Sequence, residues 1–249
     1  MRKIFVVEYH DQVLELWRAE AISSKQVLHL DFHCDLRGLL INRRTQRAHR
    51  IWDRFPGVDE GNFLTHAILE GAISGVRWVH DEPGGRQHDL KTVKYESDLT
   101  AFFHRYLIAK RKEQGVPIHY EVIPNSEWTG LNPGELLDID WDFFASKEYA
   151  IESIGQRVEA FFSREFSHVP EQTYVCYSPE YSHPTREVFR RFVADLAALF
   201  QADVVDVPTS PRVPARKTLH KSSVLLPLLR VARQVYHRGG LALRKRGIY

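Results

Sequence analysis

Residues 27–35 read Val-Leu-His-Leu-Asp-Phe-His-Cys-Asp, an apolar run that ends in a burst of metal-binding side chains. Its counterpart at residues 135–144 reads Glu-Leu-Leu-Asp-Ile-Asp-Trp-Asp-Phe-Phe. Both look like strands whose last residues carry chemistry. Alternation along a strand sends residues i, i+2 and i+4 to one side. Asp31, His33 and Asp35 are therefore expected to project together, as are Asp138, Asp140 and Asp142. Carboxylates gathered on one face repel each other and cost several kcal/mol to desolvate unless a cation neutralises them. The pattern points to bound metal.

Working outward, strand-like and helix-like segments alternate. KIFVVEYH (3–10) reads as a strand, residues 11–20 as a helix, and QVLHLDFH (26–33) as the second strand. A polar, arginine-rich loop is expected through about residue 60, then a helix over FLTHAILEGAISG capped by Asn62. VRWVHDE (76–82) and LKTVKYES (90–97) are β candidates, and residues 98–113 suit a helix. IHYEVIP (118–124) and ELLDIDWDFF read as strands, residues 148–166 as a helix, QTYVCYSPE (172–180) as the last clear strand, and 185–200 as a helix. Strands alternating with helices imply βαβ units and a largely parallel sheet. In open α/β sheets, ligands sit beyond the carboxyl ends of the strands. His10, Asp31–His33–Asp35, Asp140–Asp142 and Ser178–Glu180 all fall at such ends. Four strand ends thus present polar chemistry on one edge.

A chain of 249 residues with 43% hydrophobic and 27% charged residues can bury one substantial core. Two cysteines, Cys34 and Cys176, argue against a disulfide-stapled secreted domain and fit a reducing compartment. The N-terminal apolar stretch is soon broken by Glu8, His10 and Asp11, so it reads as a strand and not a signal peptide. No apolar run approaches a membrane span. A soluble, cytoplasmic protein without a membrane partner is expected. The net charge of +2 hides an asymmetry: ten of the 34 basic residues follow Asp206 and none of the 32 acidic ones does, which leaves residues 1–206 at a formal −8. The expected organisation is one α/β domain over residues 1–207 and a basic extension over 208–249, helical at 218–237 with a break at Pro227. Such an extension suits docking on an acidic peptide, on a neighbouring subunit in a homo-oligomer or on the protein's own body. An acidic body makes nucleic acid a poor partner.

Carboxylates with imidazoles and no thiolate favour hard or borderline divalent ions, Mn²⁺ being a natural candidate. Four carboxylates and two imidazoles exceed what one tetrahedral Zn²⁺ takes. They suit two ions bridged by Asp and water, a pair that lowers the water's pKa and makes hydroxide available near neutral pH. The implied chemistry is hydrolysis at an electrophilic carbon, with phosphorus as the alternative.

These motifs resemble the arginase–agmatinase–deacetylase superfamily. Its arginases carry a His at one strand end, a DAHxD motif about twenty residues later, and DxD much later. Here Glu8-Tyr9-His10 is followed, 21 residues after the His, by Asp31-Phe32-His33-Cys34-Asp35, and then by Asp140-Trp141-Asp142. The chain is most similar to a branch reading EDH…HxDxHxD…LDIDLDFF, which includes peptide arginases acting on ribosomally made precursor peptides. The likeness covers roughly residues 3–182. It implies an arginase-like three-layer α/β fold and two Mn²⁺ per chain held by His10, Asp31, His33, Asp35, Asp140 and Asp142, with Asp31 and Asp140 bridging. It also implies conversion of peptidyl arginine to ornithine with release of urea, an arginine-containing precursor peptide being the partner. Asp138 then orients a ligand from behind, although a register pairing Asp138 with Asp140 is an alternative.

Roles beyond the ligands follow from the same likeness. Asp142 would accept a proton, and His49 or His183 would protonate the departing amine. Glu180 would anchor the guanidinium through two hydrogen bonds, with Ser178 and Asn62 as further substrate contacts. The sequence departs from arginases where Glu180 slips into a loop and where Arg37–Arg50 replaces the loop that selects a free amino acid. That favours a peptide-linked side chain. His29 reads as a buried structural residue, and Cys34, pointing away from the ligands, as a small core filler. Two other readings stand beside this one. The first is another amidino or amide hydrolase of the same fold, acting on free arginine, an agmatine-like amine or an acetyl-amine. The chain lacks the His-His pair of the deacetylases. The second is a metal-stabilised binding protein without turnover.

Overall fold

Seven strands pair side by side in the order β10-β1-β9-β8-β2-β5-β7, and every one of these pairings is parallel. They are β1 (Lys3–Val7), β2 (Lys25–Leu30), β5 (Ile73–His80), β7 (His119–Pro124), β8 (Leu136–Asp140), β9 (Gln172–Cys176) and β10 (Asp203–Asp206). A small second sheet joins β3 (Leu39–Asn42), β4 (Arg47–Arg50) and β6 (Val116–Pro117). The helices are α1 (Asp11–Ala19), α2 (Phe63–Leu69), α3 (Asp142–Ala145), α4 (Ile154–Phe162) and α5 (Arg186–Phe200). The computed structural model describes residues 1–42, 45–51, 57–81 and 114–209. The strand expected at 90–97, the helix at 98–113 and the helix at 218–237 lie outside the described residues, as does the basic extension from residue 210 onward.

Alternation along the central strands sorts the core into two halves, one on each face of the sheet. Phe5, Val27, Val76 and Tyr174 pack with Val13, Leu14 and Trp17 of α1 and Phe63, Leu64 and Ile68 of α2. Their neighbours in sequence, Ile4, Leu28 and Val175, pack with Trp141, Phe144, Phe161 of α4 and Phe189, Phe192 and Leu196 of α5. Helices thus cover both faces, as the near-continuous apolar runs of β2 and β8 require. Burying a Phe, Leu or Val side chain is worth roughly 1.5–3 kcal/mol, so this two-sided core fixes the register of the sheet.

Several elements differ from the sequence reading. The stretch expected as a polar loop holds the β3–β4 hairpin, whose Leu39, Leu40 and Ala48 are buried. The helix expected over residues 63–75 stops at Leu69. Gly71 turns left-handed there (φ +80°) and the Ala72 N–H donates to the Ala67 carbonyl, closing the helix. β10 was not foreseen: Asp203-Val-Val-Asp206 is an exposed edge strand with no buried face to impose an alternating pattern.

Candidate metal centre

β1, β9, β8 and β2 are consecutive in the sheet, and their registers bring their carboxyl ends level. Val7 and Asp140 both sit opposite Cys176, and Leu30 opposite Ile139. Just past these ends lie His10, which leads into α1; Asp31, the first residue after β2; Asp140, the last of β8; and Ser178, two residues after β9. The crossover from β1 to β2 skips two places in the sheet, and β8 and β9 later fill them. A crevice at such a break in strand order is where α/β sheets bind ligands.

β1, β2, β8 and β9 end three or four residues sooner than the sequence reading has them, and the site depends on it. A strand advances about 3.3 Å per residue, so residues i and i+4 of an extended chain lie roughly 13 Å apart. Asp31 and Asp35 could not meet that way. Instead Asp31 Oδ1 accepts the His33 N–H at 2.6 Å, and Asp140 Oδ1 accepts the Asp142 N–H at 3.2 Å. Each aspartate therefore turns its own backbone within two residues. Asp35 completes the first turn in the left-handed region (φ +49°), and Asp142 opens α3. Ser178 is left-handed as well (φ +46°). Non-glycine residues held there cost of order 1–3 kcal/mol and cluster at functional sites.

The result is a constellation in which His10–Asp31–Asp35 and Asp31–His33–Asp142 overlap, with His10–Asp140–Cys176 and His10–His29–Asp138 adjoining them through His10. His10 Nδ1 lies 3.4 Å from Asp31 Oδ2, 3.1 Å from Asp35 Oδ2 and 3.2 Å from Asp140 Oδ2. His33 Nδ1 lies 3.0 Å from Asp142 Oδ2 and 3.8 Å from Asp31 Oδ1. Asp31 thus belongs to both overlapping groups, whereas Asp140 faces His10 with one oxygen and accepts the Asp142 N–H with the other. Backbone and side-chain donors hold the carboxylates. The Phe32 N–H donates to Asp142 Oδ1 (3.2 Å), Ser178 Oγ to Asp140 Oδ2 (2.6 Å), and Trp78 Nε1 to the Asp31 carbonyl (3.0 Å). One rung deeper, Asp138 takes His10 Nε2 at 3.1 Å and His29 Nδ1 at 2.8 Å. Asp138 therefore stands behind His10, and it is Asp140 and Asp142 that face the two groups.

Burial and the neighbouring charges shift the protonation of almost every one of these groups. Burial favours neutral histidines, yet the adjoining Asp138 and Asp140 outweigh it and hold His10 well above the usual imidazole range. His29 is likewise lifted to about 10, burial being outweighed by Asp138 and Asp31, and His33 to about 10 by Asp142. Asp35 and Asp140 are raised by burial and by the charge of Asp31, and Asp142 by burial and Asp140. Asp138 goes the other way, because His10 and His29 overcome its burial. His10 Nδ1 and Asp31 Oδ2 are fully buried and have no hydrogen-bond partner. A divalent ion could take the place of a proton between such groups, and the carboxylates and imidazoles among them fit a hard or borderline ion such as Mn²⁺.

A cavity of about 210 Å³ opens on this constellation, lined by His33, Cys34, Asp35, Arg37, Glu60, Gly61, Asp140 and Tyr181. Glu60 is nearly buried, and Tyr181 stands at the mouth with its ring centroid 5.3 Å from that of His33. The sequence reading passed over both; Glu60 sits in a loop between Asp59 and Gly61 with no periodic signal around it. Other expected residues stand elsewhere. Glu180 is exposed, and its backbone carbonyl accepts Lys147 Nζ. Asn62 is buried and ties the loop before α2, its Nδ2 donating to the Gly57 carbonyl and its Oδ1 accepting the Asp59 N–H, both at 2.8 Å. It shapes the loop that carries Glu60. His49 lies in β4 against Gly115, and His183 Nε2 meets the Tyr149 carbonyl at 2.9 Å; neither lines the cavity. Ser178 reaches Asp140 rather than the cavity. Cys34 lines the cavity wall, whereas Cys176 is buried beside Ser178 Oγ at 3.2 Å. Among the described residues no helix is long and apolar enough to cross a membrane. No protein-family model matches the chain, and no curated protein is significantly similar to it.

Proposed function

We propose that this chain is a binuclear manganese hydrolase of the arginase-like kind, acting on an arginine side chain within a peptide. The observation that carries the reading is the convergence of His10 with Asp31, Asp35 and Asp140, and of Asp31 with His33 and Asp142, two sets that share Asp31 beside one open cavity lined by His33, Asp35 and Asp140. Those residues would hold the two ions, and the ions when bound would supply a water acidic enough to ionise near neutral pH.

The remaining work falls to the chain's own groups. Asp35, Glu60 and Asp140 make the cavity wall acidic, which suits a cationic head group, and a carboxylate grips a planar guanidinium through two hydrogen bonds. Glu60 takes this part more readily than Glu180, whose side chain faces solvent. Arg37, which also lines the wall, is ion-paired to Asp59 and so does not cancel that acidity. Tyr181 at the rim offers a flat face to the substrate's flanking residues. Water adds to the guanidinium carbon, the bond from that carbon to the side-chain nitrogen breaks, and a proton passes to the departing amine. Ornithine and urea result. The acidic body draws a cationic substrate, and the expected place of the basic extension is on an acidic part of the precursor peptide or a neighbouring subunit.

The test is mass spectrometry of an arginine-containing peptide and of free arginine, each incubated with the full chain and Mn²⁺. A loss of CH₂N₂ from the peptide, matched by urea, is the expected result. Ornithine formed from the free amino acid alone would remove the peptide half of the reading. No product from either, with metal bound, would leave a metal-stabilised binding protein.

A further inference from the structure

Behind the two ligand groups lies a closed ring of alternating acids and imidazoles. Asp31 Oδ2 faces His29 Nε2 at 3.2 Å, His29 Nδ1 bonds Asp138 Oδ2 at 2.8 Å, Asp138 meets His10 Nε2 at 3.1 Å, and His10 Nδ1 returns to Asp31 Oδ2 at 3.4 Å. All four side chains are fully buried. His29 and Asp138 are directly opposite in the β2–β8 register, with Phe63 of α2 closing over them. A pair of this kind is an expensive way to fill a core position. Apolar residues of similar volume do so at no desolvation cost, as Val27 and Leu136 do across the same two strands. The expense makes sense if the pair controls a ligand.

We infer that His29 is a positioning residue: its Nδ1–H fixes Asp138, and Asp138 in turn holds the proton of His10 on Nε2, so that His10 Nδ1 stays bare toward Asp31, Asp35 and Asp140. Which nitrogen of an imidazole can ligate is set by the bond its other nitrogen makes. The two contacts of His29 are unequal. The one to Asp138 is a formed hydrogen bond, whereas His29 Nε2 and Asp31 Oδ2 have no hydrogen-bond partner despite their approach. The working half of His29 is therefore Nδ1. This inference rests on the metal reading above and assigns to one of its two ions a dependence on a residue that does not touch it.

Two substitutions separate positioning from packing. In His29→Asn the amide N–H falls where Nδ1 lies and can keep the bond to Asp138; in His29→Gln it falls where Nε2 lies and cannot. Both are polar and of similar size, so a purely structural role would affect them alike. The full-length chain, stripped of metal, is titrated with Mn²⁺ by calorimetry and by the spin-coupling signature of a manganese pair, with circular dichroism as the control for folding. In His29→Gln, and in His29→Ala where it folds, one of the two ions is expected to bind about 10–100-fold more weakly, while the other binds as in the wild type and the coupled signal fades. His29→Asn is expected to bind both. Equal behaviour of the Asn and Gln variants, or full two-ion binding by the Gln variant, overturns the inference while leaving the metal reading intact. A wild-type chain that takes up no Mn²⁺ overturns both together.

Discussion

Asp31 and Asp140 do two jobs each: one oxygen bends the backbone and the other faces His10. Asp140→Asn keeps the turn, because an amide oxygen accepts the Asp142 N–H equally well, but it removes the charge shared between the two groups. Turnover is expected to fall at least a hundredfold while circular dichroism stays unchanged; an active Asp140→Asn enzyme would refute the bridging role. Glu60→Gln should raise KM for the peptide about tenfold or more and affect kcat less, since a hydrogen bond to a charged group is worth roughly 1.5–3 kcal/mol. Steady-state kinetics on Glu60→Gln and Glu180→Gln side by side would show which acid grips the substrate. The protons of the ion-free site give a pH signature. His29 and His33 are raised to about 10 by burial overcome by neighbouring aspartates. Their contribution to stability is complete below the usual imidazole pKa of about 6.5 and is lost as pH climbs through about 10. Metal-free protein should therefore melt at lower temperature as pH rises across that window. Mn²⁺ affinity should rise over the same range, because an ion held by His33 would displace its proton. Calorimetry with and without a chelator would measure both.

At the level of the element, most of the centre was legible because ligand-bearing segments have to be strand ends, and the apolar runs VLHL and LLDI announce the strands. The bends were not. Alternation predicts a straight row of Asp31, His33 and Asp35, whereas the side chain of Asp31 ends the strand and curls the row into a cup. The signal was present in the residue type, since aspartate readily caps its own turn, but period-two reading overrides it. Glu60 and Tyr181 escaped for another reason: both belong to loops, whose side chains are placed by tertiary packing and not by any local period. The left-handed turn after β9 offers a test at this scale. Ser178→Gly relieves the backbone at φ +46° yet deletes the 2.6 Å bond to Asp140. Its melting temperature without metal is expected to hold or rise while Mn²⁺ binds about tenfold more weakly. If binding is unchanged, Ser178 has no part in steadying Asp140.

For the whole molecule, class and handed-down connectivity followed from the order of strands and helices. The sheet order could not, since nothing local to β1 and β2 says that β8 and β9 will lie between them. A site with this much buried, mutually repelling acid should be markedly stabilised by what neutralises it. Ligand at a hundred times its Kd adds about 2.7 kcal/mol, which for a domain of this size corresponds to roughly 5–10 °C per ion. A thermal scan with Mn²⁺ and then with a chelator should show a shift of that size; coincident curves would argue against tight binding. The separation of β1 from β2 also has a consequence for biogenesis. Four of the six proposed ligands, His10, Asp31, His33 and Asp35, leave the ribosome within the first 35 residues. The two strands that hold them at the right spacing are not synthesised until residues 136–176. A nascent chain halted before that point carries most of the proposed chelating groups without the frame to converge them, so any loading with metal must wait until β9 has been made.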